Sequence, residues 1–569
     1  MTPPRWDEAT RTRALADAAA GEPFDLLVIG GGITGAAVLR DAASRGLRAF
    51  LVERADFASG TSSRSSKMIH GGLRYLGEGQ LRVTAEACRE RDRLVALHPN
   101  LVERTPFLFP CFEGGKVTPW QIHAAMWIYA GMAGFRRSAR FHTVDADEAR
   151  RFSSDLRRDG YRTGAVYFDG QTDDARLVLE TIRSARALGA EAANHAEVTE
   201  LIFDAGRVAG ARVRDRCTGA EHAIRAHAVV NAAGPSLANV RGLDPGAEPE
   251  SLRPAKGVHL VLRGSRVHAA GAVAFEAADR RQLFLAPWHD LWLLGTTDDF
   301  SDEVDEPVVT IDEVHYLLDA ANAAFPGVGL TTNDIVSVYA GVRPLVAPAD
   351  AAAPPSSVSR EHQIYEDPSG LISAAGGKLT THRAMGESLV DRVVRALPAA
   401  RRRAAGPSRT RSLPLRDDAF DGAALAAGLE SRFGIEALRA GHLVRQYGRE
   451  AEALVAEAPA EQREAIGTSR YTWAEIPWCM RSECAVTLCD LLEHRVRMAY
   501  FAPGQGLPQL GEIARLAAEA AGWDDARVRS EADAYRATVR RRYQIAPSRG
   551  AALGGDAAAG ARREGASAA

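Results

Sequence analysis

The stretch FDLLVIGGGITGAAVLRDAASRGLRAFLVER, residues 24–54, admits few folds. Phe24 to Ile29 is apolar apart from Asp25, as suits a strand buried on both faces. Three glycines follow, Ala36 to Ser44 carries small residues at helical spacing, and Arg48 to Val52 is a second apolar run. The pattern predicts strand, tight turn, helix and parallel strand. Within it Gly30, Gly32 and Gly35 form G-x-G-x-x-G. Gly30 permits the turn, Gly32 lets a pyrophosphate approach the backbone, and Gly35 brings helix and strand together. Glu53 ends the second strand 18 residues after Gly35. There its carboxylate can accept from both ribose hydroxyls and would repel a 2′-phosphate, which predicts an ADP-ribosyl dinucleotide other than NADP.

A chain of 569 residues has length for two or three cores, and 46% hydrophobic with 25% charged residues is globular composition. The formal charge of -3 argues against a dedicated nucleic-acid binder, which needs a sustained basic face, and leaves steering of a small anion to local clusters. Six cysteines in so long a chain make no disulfide framework and no C-x-x-C or H-E-x-x-H, so a reduced cytoplasmic protein without metal is expected. The N-terminus lacks the apolar core of a signal peptide, and no run of about 18 apolar residues offers a membrane span. Only peripheral membrane contact is open. Residues 116–140, KVTPWQIHAAMWIYAGMAGFRRSAR, bear on it: Trp120, Met126, Trp127 and Met132 precede Arg136, Arg137 and Arg140, which reads as an interfacial helix or one buried between domains.

Of 70 basic residues only four are lysines, at 67, 116, 256 and 378, leaving 66 arginines. A lysine here can mark a need for a compact ammonium on a flexible stem. Lys67 lies in SSKMIHGGLRYL, residues 65–76, with His70, Arg74 and Tyr75 around Gly71-Gly72. Lys378 lies in GGKLTT, a second glycine turn and helix start near the far end of the fold. Its free N–H groups could stabilise negative charge on a reduced flavin. The first fingerprint does not separate FAD from NAD, but a discontinuous FAD domain explains both glycine turns.

VIGGGITGAAVLRDAASRGL, TSSRSSKMIHGGLRYL, VNAAGPS, GTTDD, YAGVRPL and GGKLTTHRAMGE, in this order, resemble the FAD-dependent glycerol-3-phosphate dehydrogenases over about residues 23–395, and more loosely beyond. The resemblance implies oxidation of sn-glycerol 3-phosphate to dihydroxyacetone phosphate, with electrons passed to a quinone at the inner face of the cytoplasmic membrane. An oxidase using oxygen, or a flavin oxidoreductase for amines or 2-hydroxy acids, would share most of these motifs. Carried over residue by residue, it implies cofactor contacts from Gly30, Gly32, Gly35, Glu53, Thr61, Ser62, Ser66, Lys67, His70, Gly71, Gly72, Gly234, Gly377, Lys378, Leu379 and Thr380. His70 is the candidate base for the C2 hydroxyl, or a structural histidine. Arg343 would bind phosphate or polarise the C2 oxygen; Arg74 and Arg360 are further phosphate candidates. Thr297 and Tyr75 would add neutral hydrogen bonds, Lys378 would stabilise reduced flavin or substrate oxygen, and Lys67 would order the cofactor loop. Gly71 and Gly72 would leave room for the flavin.

The expected fold class is α/β: a discontinuous Rossmann-like FAD-binding domain, an antiparallel-β substrate (cap) domain and a C-terminal all-α domain. Residues 1–22 are read as an N-terminal extension, 23–110, 166–255 and 346–400 as the FAD-binding domain, and 111–165 and 256–345 as the cap. Residues 401–410 are read as a linker, 411–545 as a separate helical domain and 546–569 as a disordered tail. A homo-oligomer is expected.

Overall fold

The computed structural model describes residues 3–73, 76, 79–134, 140–247, 252–346 and 362–548. The predicted unit forms as read: strand Leu26–Ile29, helix Ile33–Ser44 and strand Ala49–Val52, the strands pairing in parallel. They sit in a six-stranded sheet ordered 363–366, 372–375, 229–231, 26–29, 49–52, 191–193, parallel except for its first pair. Helices Ile33–Ser44, Asp174–Ala187 and His382–Ala396 cover it, sharing one apolar core with its strands. Continuous apolar strands need cover on both faces, and on the other face Leu27, Phe50 and Val52 pack with Leu15, Leu201, Val213 and Ile224. Residues 196–225 form the separate three-stranded meander.

A ten-stranded sheet forms the second layer, antiparallel apart from the pairing of Ala272–Glu276 with Glu103–Phe112. Its strands Glu103–Phe112 and Tyr161–Gln171 pair along their length and run across the expected boundaries at 110 and 165. Those boundaries follow changes in composition, whereas the ladder follows hydrogen-bond register.

The C-terminal helices form the expected all-α layer. They are not detached: one apolar cluster joins Leu443, Ile476, Tyr500 and Tyr535 with Val261, Trp288 and Tyr339 of the ten-stranded sheet. The linker is likewise pinned, with the Gly406 N–H donating to Arg45 O at 2.9 Å and Thr410 to Asp41 at 3.1 Å. Ala546, expected to open the tail, pairs with Thr310. The N-terminal helix Glu8–Ala20 docks through Arg11, whose buried guanidinium meets Asp215 at 2.6 Å. Among the described residues no helix is long and apolar enough to cross a membrane.

Candidate active site

Both glycine turns follow strands of the parallel sheet and open at its carboxyl edge, where open α/β sheets bind ligands. Between them lies a cleft of about 1070 Å³. Gly30, Gly32 and Glu53 line it from one turn, Gly234 from the next strand, and Gly377, Lys378 and Leu379 from the other turn. At Gly30, φ is +111° and a Cβ would lie 2.6 Å from Ala232 O, so only glycine fits. At Gly35 a Cβ would lie 1.9 Å from Gly30 O, which is the close helix–strand approach predicted for it.

Glu53 accepts from the Gly31 N–H at 2.6 Å and the Ala55 N–H at 2.8 Å, and burial raises its carboxyl above the usual range. The carboxylate therefore fixes the turn, while each oxygen retains a lone pair for a hydroxyl. A carboxylate beside a glycine turn, facing a cleft of this size, fits the ribosyl and pyrophosphate parts of a dinucleotide.

Thr61, Ser62, Arg64 and Ser65 form another wall. Thr61 donates to Val342 O, and Ser62 accepts from Ile33 N–H at 2.9 Å. Beneath this wall Lys67 is fully buried, its Nζ 2.7 Å from Asp174 and 2.9 Å from Ser63 O. Burial pulls its ammonium down to about 8, against the attraction of Asp174. Ser66 Oγ lies 2.8 Å from Nε2 of His259, a buried ring stacked on Tyr339 at 4.9 Å. Burial, then Arg343 and Lys67, lower that imidazole to about 3, so it stays neutral.

His70 is half-buried and its N–H donates to Thr380 Oγ1 at 3.1 Å, joining the opening of the GGL turn to GGKLTT. Gly71 differs from expectation. A Cβ there would lie 2.3 Å from the Tyr129 hydroxyl, so its missing side chain makes room for Tyr129, not for a flavin. That hydroxyl accepts from Gly71 N–H at 2.8 Å and donates to Asp169 at 2.7 Å, beside Arg91. Gly72 takes φ +76°.

Arg343 meets Asp298 at 3.0 Å and points its other nitrogen toward Thr296 Oγ1 at 3.2 Å. Its charge is thus shared with a carboxylate before any anion arrives. Thr297 is buried and its hydroxyl accepts from Val258 N–H at 3.0 Å, which leaves its own O–H to donate. Thr296, partly exposed, donates its hydroxyl to Thr297 O at 3.1 Å while accepting from Arg343. Arg74, Tyr75 and Arg360 lie outside the described residues. Sequence reasoning missed His259, Tyr129 and Asp169. A lone polar residue inside the apolar run GVHLVL was the one local signal; the others are joined only by a side-chain hydrogen bond from helix Pro119–Met132 to strand Tyr161–Gln171.

The FAD dependent oxidoreductase family matches residues 25–392, and the C-terminal domain of alpha-glycerophosphate oxidase matches residues 408–528. The aerobic glycerol-3-phosphate dehydrogenase of Staphylococcus haemolyticus strain JCSC1435 is 34% identical over 490 residues, 84% of this chain and 88% of the relative. The chain belongs to the aerobic glycerol-3-phosphate dehydrogenase family, and FAD is its cofactor. The family's Bacillus subtilis strain 168 member is 33% identical over 512 residues, covering 87% of this chain and 91% of its own. The solved glycerol-3-phosphate dehydrogenase from Bacillus halodurans, complexed with FAD, is 30% identical with a TM-score of 0.77, over 94% of this chain and 98% of that one. Likeness to this dehydrogenase thus extends through the helical domain.

Proposed function

We propose that this protein oxidises sn-glycerol 3-phosphate to dihydroxyacetone phosphate and passes the electrons to a membrane quinone. The observation that carries it is the union of the two glycine turns and the 61–65 wall in one cleft, in a chain whose relatives are named for this substrate. Bound FAD supplies the hydride acceptor for C2. The chain's own residues supply the rest: His70 takes the C2 hydroxyl proton, and Arg343, oriented by Asp298, binds the anionic end or the C2 oxygen. Lys378, at the cleft wall, offsets negative charge that develops during oxidation. By the family resemblance Arg74 and Arg360 are further phosphate candidates, and Tyr75 would add a neutral hydrogen bond.

Anaerobic bleaching of the holoenzyme tests this. Glycerol 3-phosphate should bleach the flavin while glycerol, 2-hydroxyglutarate and amino acids leave it oxidised; no bleaching by glycerol 3-phosphate sinks the reading. Arg343→Ala should narrow the preference over glycerol by about tenfold or more, the loss of one charge-assisted contact. In His70→Asn, bleaching should slow with FAD retained; fast bleaching would move the base elsewhere. Turnover with a quinone analogue and little peroxide in air is expected, and the reverse would make the protein an oxidase.

Peripheral contact with the inner face of the cytoplasmic membrane belongs to the same proposal. Helix Pro119–Met132 buries Ile122, Met126, Tyr129 and Ala130, so Met126 faces inward and not toward an interface. Its other face leaves Trp120 70% and Trp127 62% exposed. No acid occurs between Glu113 and Asp145, while Lys116, Arg136, Arg137 and Arg140 do, which suits an anionic lipid surface. Changing both tryptophans to serine should cut cosedimentation with phosphatidylglycerol vesicles about tenfold while FAD content holds. Unchanged cosedimentation would place the contact elsewhere.

A further inference from the structure

The wall that faces the cleft is gripped from behind by the helical domain. Segment 494–500 runs from the end of the wide helical turn Asp490–Arg495 into the short helix Met498–Phe501, with Arg497 at φ +60° between them. Its guanidinium is 1% exposed. One nitrogen donates to Asp173 at 2.6 Å and Asp174 at 3.1 Å, and another to Ser63 O at 3.0 Å. Lys67 reaches the same carbonyl and the same Asp174. The Ser63 carbonyl thus receives two cationic donors, and Asp174 also accepts from the Ser65 N–H and hydroxyl at 3.0 and 2.7 Å.

Two more contacts come from the same segment. The Tyr500 hydroxyl lies 3.3 Å from Ser63 Oγ, and its ring sits against Tyr339, which donates to Ser65 O at 2.9 Å. Upstream, Asp56 accepts from His494 Nδ1 at 2.9 Å and from Arg495 at 2.8 and 3.0 Å. Asp56 and Ser63 are therefore both tied directly to residues 494–500, and Lys67 joins the second tie through Ser63 O and Asp174. Ser59 to Ser62, between the ties, and Arg64 and Ser65, just past the second, face the cleft.

We propose that segment 494–500 is a clamp that sets the position of the 56–67 wall against FAD, with Arg497 as its positioning residue. The helical domain would then govern how long the cofactor stays bound. A plain domain contact predicts otherwise, and the chain supplies the comparison: Arg183 joins the same two layers through Glu450 at 2.7 Å, without touching residues 56–67. Buried ion pairs contribute little net stability against a well-packed apolar alternative, but each fixes the geometry of what it holds. Arg497 holds a wall of the cleft, and Arg183 holds a helix on a helix. The proposal does not depend on which substrate the site oxidises.

The test uses the full-length holoenzyme and follows FAD release after dilution by the rise in flavin fluorescence, alongside the visible circular dichroism of bound flavin. Arg497→Ala should release FAD about tenfold faster and alter the flavin dichroism. Arg497→Lys, which keeps the charge without the fork, should fall between it and the parent. Arg183→Ala should lower the melting temperature yet release FAD within about twofold of the parent rate. Parent-like release from Arg497→Ala, or equal release from Arg183→Ala, overturns the proposal. If Arg497→Ala yields no folded holoenzyme, Arg497→Lys decides alone: release about threefold faster supports the clamp, and unchanged release overturns it.

Discussion

Gly35→Ala is expected to yield protein nearly devoid of FAD. The new Cβ would lie 1.9 Å from Gly30 O and 3.4 Å from Val28 Cγ1. The nearer atom is backbone, so no rotamer change relieves the contact. Either the helix lifts from the strand or the turn opens, and both displace the backbone that faces the pyrophosphate. Overpacking of this kind costs about 1–3 kcal/mol of stability, and the cofactor's own stabilising contribution is lost with it. Flavin-to-protein ratio and melting temperature measure the two effects. Gly511→Ala is the control: a Cβ there meets nothing within 4 Å, on the exposed side of helix Leu510–Ala521, and should gain up to about 1 kcal/mol. Normal FAD content in Gly35→Ala would mean that the turn does not bind pyrophosphate.

Acid should unfold the protein well before its carboxylates titrate. Burial lowers His98 and His259 to about 3 and His382 to about 4, with nearby arginines adding to the effect. All three side chains are buried in the folded protein. The unfolded chain takes up protons at these histidines from about pH 6.5 downward, and the folded chain does not. Stability therefore falls as pH drops below about 6.5, by at most ~1.4 kcal/mol per pH unit per histidine, or about 4 for three. This loss runs until pH approaches the folded values of 3 to 4. Asp174 and Glu180, both lowered to about 2, act in the same sense but at lower pH: their stabilisation is present above the ordinary carboxylate range and is lost as pH falls from there toward 2. Urea unfolding at pH 7.5, 6 and 5 should show the decline. His98→Asn should reduce the slope by about one proton's worth. A flat profile between pH 7 and 5 would contradict the buried neutral histidines.

Local chemistry was legible where one short segment carries its own reason. Gly30, Gly35 and Glu53 act within a single strand, turn and strand, so their spacing states their geometry. The 65–76 stretch was legible as a place of chemistry but not in its division of labour. Gly71 makes room for Tyr129, a residue 58 positions away, and no pattern within the stretch says so. Thr297 reads as a hydroxyl with both roles open until the strand opposite supplies Val258 N–H for it to accept. The helical domain reads as separate because its composition changes after residue 411, whereas burial joins it to the sheet through Tyr339 and Tyr500.

By itself the sequence determined the parallel nucleotide unit, the cofactor class and the order of layers, because apolar periodicity and glycine placement act over a few residues. Only the tertiary structure decided which groups share the cleft, and that Asp56, Ser63 and Asp174 are held by arginines from beyond residue 490. Buried charge must find an opposite charge wherever the chain passes near it, and that proximity belongs to the fold and not to sequence spacing.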